Sequence, residues 1–176
     1  MFKGLTNKLR KKLIRIIECY LPDRYQLPLR MIYYRSRNLL DPEMLYIDKI
    51  IENNERFLDV GANMGVYSYF FRNKFKNIEA FEPLREASYT LKAINSDKIK
   101  IHNMGLSNKK GNVIFHIPLV NGKLLPGLAS LEERDCICED RLINVNTIDS
   151  FSFNDISLIK IDAEGHELSI LEGSLK

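Results

Sequence analysis

Two short stretches of the chain carry residues whose types and spacing could do chemistry. In FLDVGANMGVYS (57–68), Asp59 precedes a turn built on Gly61 and Gly65, with Asn63 between them. In KIDAEGHE (160–167), Asp162, Glu164 and His166 crowd together. Glycine permits positive φ and close backbone approach, and asparagine tolerates left-handed geometry, so the first stretch reads as a ligand-holding turn between a strand and a helix. A phosphate-binding loop would place Lys and then Ser or Thr after its last glycine. Val66 and Tyr67 stand there instead, which disfavours a nucleoside triphosphatase. A dinucleotide site would show G-x-G-x-x-G. The chain offers G-x-N-x-G, and a carboxylate immediately before the loop would repel a pyrophosphate.

The same carboxylate favours a cationic ligand. S-adenosylmethionine carries a sulfonium, an ammonium and a ribose diol but no phosphate. Glu82, twenty-one residues after Gly61, is placed to accept hydrogen bonds from both ribose hydroxyls. The plainer alternative makes Asp59 a loop cap and Glu82 a solvated acid; the pairing of the two at neighbouring strand ends favours a site. Methyl transfer from a sulfonium to a hydroxyl asks the protein to align the partners and remove a proton. His166 suits a general base, with Asp162 and Glu164 beside it; Asp162 could orient it, hold the acceptor or contact the methionine end of the donor. Against this, Glu164 and Glu167 could simply favour the positive end of the following helix, with His166 capping it. His102 and His116 fall on strands and read as structural. Magnesium wants near-octahedral oxygen ligation, which two or three carboxylates on one turn do not establish, so no metal is expected.

The elements that must position these residues alternate. DPEMLYIDKIIENN (41–54) reads as a helix with a cap candidate at Asp41 and proline at its first position. RFLDVG is a strand, the pattern from Met64 to about Lys74 a helix, NIEAFEP (77–83) a strand, LREASYTLKAINS (84–96) a helix, and KIKIHNMGLS (98–107) a third strand. GNVIFHIPL follows as another strand. The stretch 120–155 is rich in turn signals, with at most a short strand at VNTIDSF. ISLIKIDAEG (156–165) is a buried strand, and HELSILEGSLK opens a helix. Alternation of this kind predicts an α/β fold with a parallel sheet, whose ligands gather outside the carboxyl ends of the strands.

Composition agrees with one globular domain: 176 residues, 45% hydrophobic and 28% charged. Within the first forty residues ten lysines and arginines face only Glu18 and Asp23, so the net charge of +3 divides into +8 there and −5 beyond. Leu5, Leu9, Leu13, Ile16, Ile17 and Tyr20 recur at helical spacing, which predicts a basic amphipathic helix. It either docks on the domain or rests peripherally on anionic lipid. Residues 22–40 are too irregular to place and read as a connector, so the division expected is 1–40 for helix and connector and 41–176 for a ligand-binding domain. Arg15 and Glu18 break the apolar stretch, which argues against a signal peptide. Basic charge without a recognition motif does not indicate nucleic acid. Three cysteines, Cys19, Cys136 and Cys138, suggest neither a disulfide framework nor a zinc site, and a cytoplasmic setting follows as the simplest expectation.

Taken together, FLDVGANMGVYS, NIEAFEP, IKIHNMGLSNKKGNVIFHI and LIKIDAEGHELSILEGS resemble the FkbM family of S-adenosylmethionine-dependent methyltransferases, in order and from about Arg56 onward. The resemblance implies a Rossmann-like class I methyltransferase fold and O-methylation of a hydroxyl on a sugar, glycan or natural product. It implies cofactor contacts at Asp59, Gly61, Asn63, Gly65 and Glu82, with Asn103 and Leu106 along the adenine. The family's fold continues past the helix after ISLIKI, so the chain reads as truncated, with ISLIKI as an edge strand of a sheet incomplete after its fourth core strand. Two further readings stand beside the enzyme: a catalytically silent remnant or interaction module, and, more distantly, an NAD-dependent oxidoreductase.

Overall fold

The computed structural model describes residues 20–133 and 135–175. Most of the basic amphipathic segment, with Cys19, lies outside them.

Four strands form one parallel sheet: β1 (Arg56–Val60), β2 (Asn77–Phe81), β3 (Ile99–His102) and β8 (Ile156–Ile161), in the order β3-β2-β1-β8. Phe57 to Val60 and Ile78 to Phe81 are buried without interruption, as strands covered on both faces must be. The register sets Asp59 opposite Ala80 on one side and Lys160 on the other, so the carboxyl ends of the three strands finish level. As expected, ISLIKI ends the sheet, and every residue of β8 is partly exposed. The result is the α/β, Rossmann-like arrangement.

Several elements differ from expectation. Residues 22–40 hold the helix α1 (Asp23–Arg37), despite Pro28 in its interior. Pro28 costs one backbone bond, but Leu27 and Met31, four apart, bury themselves against Ala62, Tyr69, Ala80 and Leu91, and that packing outweighs the local penalty. Left-handed Asn38 (φ 53°) ends the helix. The helix expected over 41–54 is shorter: α2 (Pro42–Tyr46) runs into a 3-10 turn at Ile47–Lys49. Asp41 makes no side-chain cap because its carboxylate accepts from Tyr67 Oη at 2.8 Å instead. The helices after β1 and β2 contract to α3 (Val66–Phe71) and α4 (Tyr89–Lys92).

KIKIHNMGLS is not one strand. It breaks at Asn103–Met104, and β4 (Gly105–Leu106) joins β5 (Gly111–Val120), β6 (Lys123–Leu124) and β7 (Cys138–Asn146) in a second, mixed sheet ordered β4-β7-β5-β6. In that sheet β5 (Gly111–Val120) matches the strand read from GNVIFHIPL, and β6 (Lys123–Leu124) closes a hairpin with it. The supposedly turn-rich 120–155 contains β7 (Cys138–Asn146), nine residues long and antiparallel to β5. Only Val145 and Asn146 of VNTIDSF belong to it; Ile148–Phe151 is a 3-10 turn. The two sheets meet where Leu106 and Ile148 pack with Leu58, Val60, Phe81 and Ile170 of the parallel layer and of α5 (Glu167–Glu172).

Candidate functional site

A crevice partly open to solvent lies at the carboxyl ends of β1, β2 and β8. Gly61, Asn63, Glu82, Leu106, Asp162 and His166 contribute to its wall, and Pro126, Gly127 and Ala129 of the β6–β7 connection form the opposite side. Such a place, outside the carboxyl ends of parallel strands, is where open α/β sheets hold ligands.

The turn after β1 is built from special backbone. Gly61 (φ +70°), Asn63 (φ 49°) and Gly65 (φ +88°) all lie in the left-handed region. A Cβ at Gly61 would stand 1.9 Å from the carbonyl oxygen of Asp162, so only glycine lets the β8 exit close against the β1 exit. At Gly65 the intruder is the side chain of Leu91, at 2.6–2.7 Å: a helix of the protein approaches there, rather than a ligand or the sheet.

Asp59 is completely buried and does not line the crevice. Its Oδ2 accepts from the Ser68 backbone N–H at 3.0 Å and from Ser68 Oγ at 2.6 Å, which anchors the first turn of α3 beneath the loop. Its Oδ1 makes no hydrogen bond; the Lys160 ammonium stands 3.5 Å away. Asp59, expected at the cofactor, thus lies beneath the crevice wall and not on it.

Glu82 stands at the wall itself. Its Oε2 accepts from the Asn63 N–H and its Oε1 from the Leu84 N–H, both at 2.9 Å. Burial pushes its pKa up to about 7; the two N–H groups and Lys160 pull it down, and Asp59 adds to the rise. Each oxygen retains a lone pair for a further donor. Of the two residues expected along the adenine, Leu106 lines the crevice but Asn103 does not. The Asn103 amide donates to the Glu82 carbonyl at 3.3 Å and to Ser88 Oγ at 3.1 Å, securing the end of β2 from behind.

The 160–167 segment places Asp162, Glu164 and His166 along the crevice, as their spacing suggested. Asp162 is well exposed, its side chain 67% accessible. Glu164 (φ 51°) accepts through its backbone carbonyl from Ser130 Oγ at 2.8 Å, tying this turn to the β6–β7 connection. His166 bridges two partners: Nδ1 meets Glu132 Oε1 at 2.6 Å and Nε2 meets Ser107 Oγ at 2.9 Å. It does not cap α5 with its side chain. Glu167 does favour the turn, accepting from the N–H groups of Ala163 and Gly165, and these bonds hold its pKa down. Glu132, Glu133, Asp135 and Glu167 line a separate, open acidic hollow that shares Asp162 and Glu164 with the crevice. Among the described residues no group of three or more His, Cys, Asp or Glu is arranged to hold a metal ion.

The other two histidines lie elsewhere. His102 is buried, stacked on Phe81 at 4.5 Å and paired with Glu79 at 2.6 Å. His116 meets Asp140 at 2.7 Å, its cross-strand neighbour in the β5–β7 register. Cys136 and Cys138 are thiols with sulfurs 3.4 Å apart. Among the described residues no helix is long and apolar enough to cross a membrane.

Sequence reasoning missed Lys160, Ser107, Glu132 and Ser68. Lys160 left a signal, a lone charge in the otherwise apolar run ISLIKI; Ser107 and Glu132 sit 59 and 34 residues from His166 and left none.

The residues present fit a cationic nucleoside donor. A buried acid with an orphaned oxygen lies below the glycine turn, a second acid with open lone pairs stands at the next strand end, and Asp162 and Glu164 add acidic residues to the wall. Over residues 59–176 the chain matches the family model described as the methyltransferase FkbM domain. No curated protein and no solved structure matches it.

Proposed function

The chain belongs to the FkbM methyltransferase family, and on that premise we propose that it transfers the methyl group of S-adenosylmethionine to a hydroxyl of a sugar, glycan or natural product. The observation that carries this reading is Glu82, a carboxylate at the end of β2 that keeps accepting capacity beside a glycine turn. When bound, S-adenosylmethionine supplies a methyl carbon already activated by its sulfonium. The protein's part is to hold, orient and deprotonate.

Glu82 receives the ribose hydroxyls. Leu106 and the backbone of Gly61 and Asn63 shape the wall, Gly65 keeps the turn compact, and Asp59 lends negative charge from below while fixing α3. Asp162 and Glu164 flank the acceptor side. His166 acts as general base: a carboxylate at Nδ1 requires that nitrogen to be the donor, which leaves Nε2 as acceptor. In that tautomer the bond Nε2 shares with Ser107 Oγ at 2.9 Å is the one an acceptor hydroxyl would take over after displacing the serine. Asp162, Glu164 and the acidic hollow beside them repel phosphorylated or carboxylated acceptors and tolerate neutral hydroxyl compounds.

Calorimetric titration with S-adenosylhomocysteine tests the reading. Micromolar binding that is lost in Glu82→Ala supports it, and transfer of labelled methyl to a neutral sugar panel identifies the acceptor class. Preference for NAD over S-adenosylhomocysteine would end it.

A further inference from the structure

β8 carries one cation, Lys160, whose side chain is 18% exposed and threads between β1 and the ring of Tyr67, 5.2 Å from the ring centroid. Its ammonium donates to the carbonyl oxygen of Gly61 at 3.0 Å and, more weakly, to that of Val60 at 3.4 Å. Asp59 Oδ1 and Asp162 Oδ2 each lie 3.5 Å away. A lysine whose task was only to neutralise Asp59 would close to hydrogen-bond distance; here Oδ1 is left without a hydrogen bond while two ammonium protons go to the turn's carbonyls. An ammonium has three protons, so one is left over. Lys160 does not itself line the crevice, but Gly61, which its ammonium bonds, and Asp162, whose carboxylate stands 3.5 Å from it, both do.

We propose that Lys160 is the positioning residue that receives the carboxylate of the donor's amino-acid moiety. The inference rests on the S-adenosylmethionine reading above. The local charge supports it: one ammonium between two carboxylates leaves a net negative charge, which suits a zwitterion. Its carboxylate pairs with Lys160 and its ammonium relieves Asp162, so the ligand replaces a loose 3.5 Å ion pair with two closer ones. Lys160 also grips the Gly61 carbonyl, so occupancy by the amino-acid end is felt directly by the turn that faces the nucleoside end.

The test is a cycle of two ligands and three proteins, read by calorimetry. The ligands are S-adenosylhomocysteine and its decarboxylated analogue, which keeps the amine and lacks only the carboxylate. Wild type should bind the analogue about 10- to 100-fold more weakly, the scale of one charge-assisted hydrogen bond. Lys160→Met should lower S-adenosylhomocysteine binding to the level of the analogue and leave the analogue unchanged, and Lys160→Arg should recover part of the loss. Equal binding of both ligands by wild type overturns the proposal, and so does a Lys160→Met protein that weakens both equally. If Lys160→Met does not fold, the wild-type ligand pair alone decides. Binding of neither ligand by wild type overturns the donor reading itself, and this inference with it, an outcome distinct from tight but equal binding.

Discussion

Glu79 and Glu82 lie three residues apart at β2, equally buried at 5% and 7% exposure, and their surroundings differ completely. Glu79 is saturated by side chains: one oxygen pairs with the Arg56 guanidinium and the other with His102 Nε2, and Arg56 in turn reaches Asp155 at 2.7 Å. Asp155 is held below the usual carboxylate range by that contact. Glu82 has only two backbone N–H groups for company, and burial lifts its pKa to about 7. A buried acid with full counter-charges holds a fold together; one left short of partners is held ready for something else. The comparison separates scaffold from site on a single strand.

The largest effect should come from the scaffold acid. Glu79→Ala leaves buried His102 without its carboxylate and Arg56 with Asp155 alone, and should lower the unfolding free energy in urea by about 3 kcal/mol. S-adenosylhomocysteine affinity, measured per folded molecule, should stay within about twofold. The site acid should do the reverse: Glu82→Gln should weaken that ligand by about 10- to 100-fold while unfolding shifts by no more than about 1 kcal/mol. If both variants lose stability and binding alike, the distinction fails.

A pH series sharpens it further. Because Glu82 is raised from 4.5 to about 7 on folding, the folded state holds its proton more tightly. Its contribution to stability is full below pH 4.5 and is lost as pH rises through about 7. Ligand affinity should run the opposite way, growing as the carboxylate ionises across the same interval, and Glu82→Gln should flatten both trends. Smallest of all should be Tyr67→Phe. The phenol's single proton is shared between Asp41 and Glu43 at the surface, lowering the Glu43 pKa, and its loss should cost about 0.5–1 kcal/mol in thermal unfolding.

What the sequence disclosed follows the same division between near and far. The β1–turn–α3 unit was legible because its causes are local: an apolar strand, two glycines and an asparagine that together dictate left-handed backbone. That β3, β2, β1 and β8 run parallel followed from alternation. α1 was hidden by Pro28, since nothing in 22–40 announces that Leu27 and Met31 will be covered by Leu91 and Tyr69. β7 was hidden because only Ile143 and Val145 of its inner face are buried, while Glu139 and Arg141 on that same face and Asp140 and Asn144 on the outer one dilute the apolar alternation. At the site the residue types were visible, yet their partners were not. Asp59 turned out to point at Ser68, and His166 to be held by Glu132 and Ser107, none of which spacing reveals.

The fit of Gly61 against the Asp162 carbonyl has a consequence for how the molecule comes into being. The crevice needs two turns 99 residues apart, as measured by the Lys160–Gly61 bond, to close on one another with no room for even a methyl group. Closing so long a stretch is entropically expensive and slow, and it brings no reward until β8 docks. A nascent chain therefore has strands before it has a pocket, and ligand capture should appear in refolding as the last event, after the amide signals of β1 and β2 are already protected.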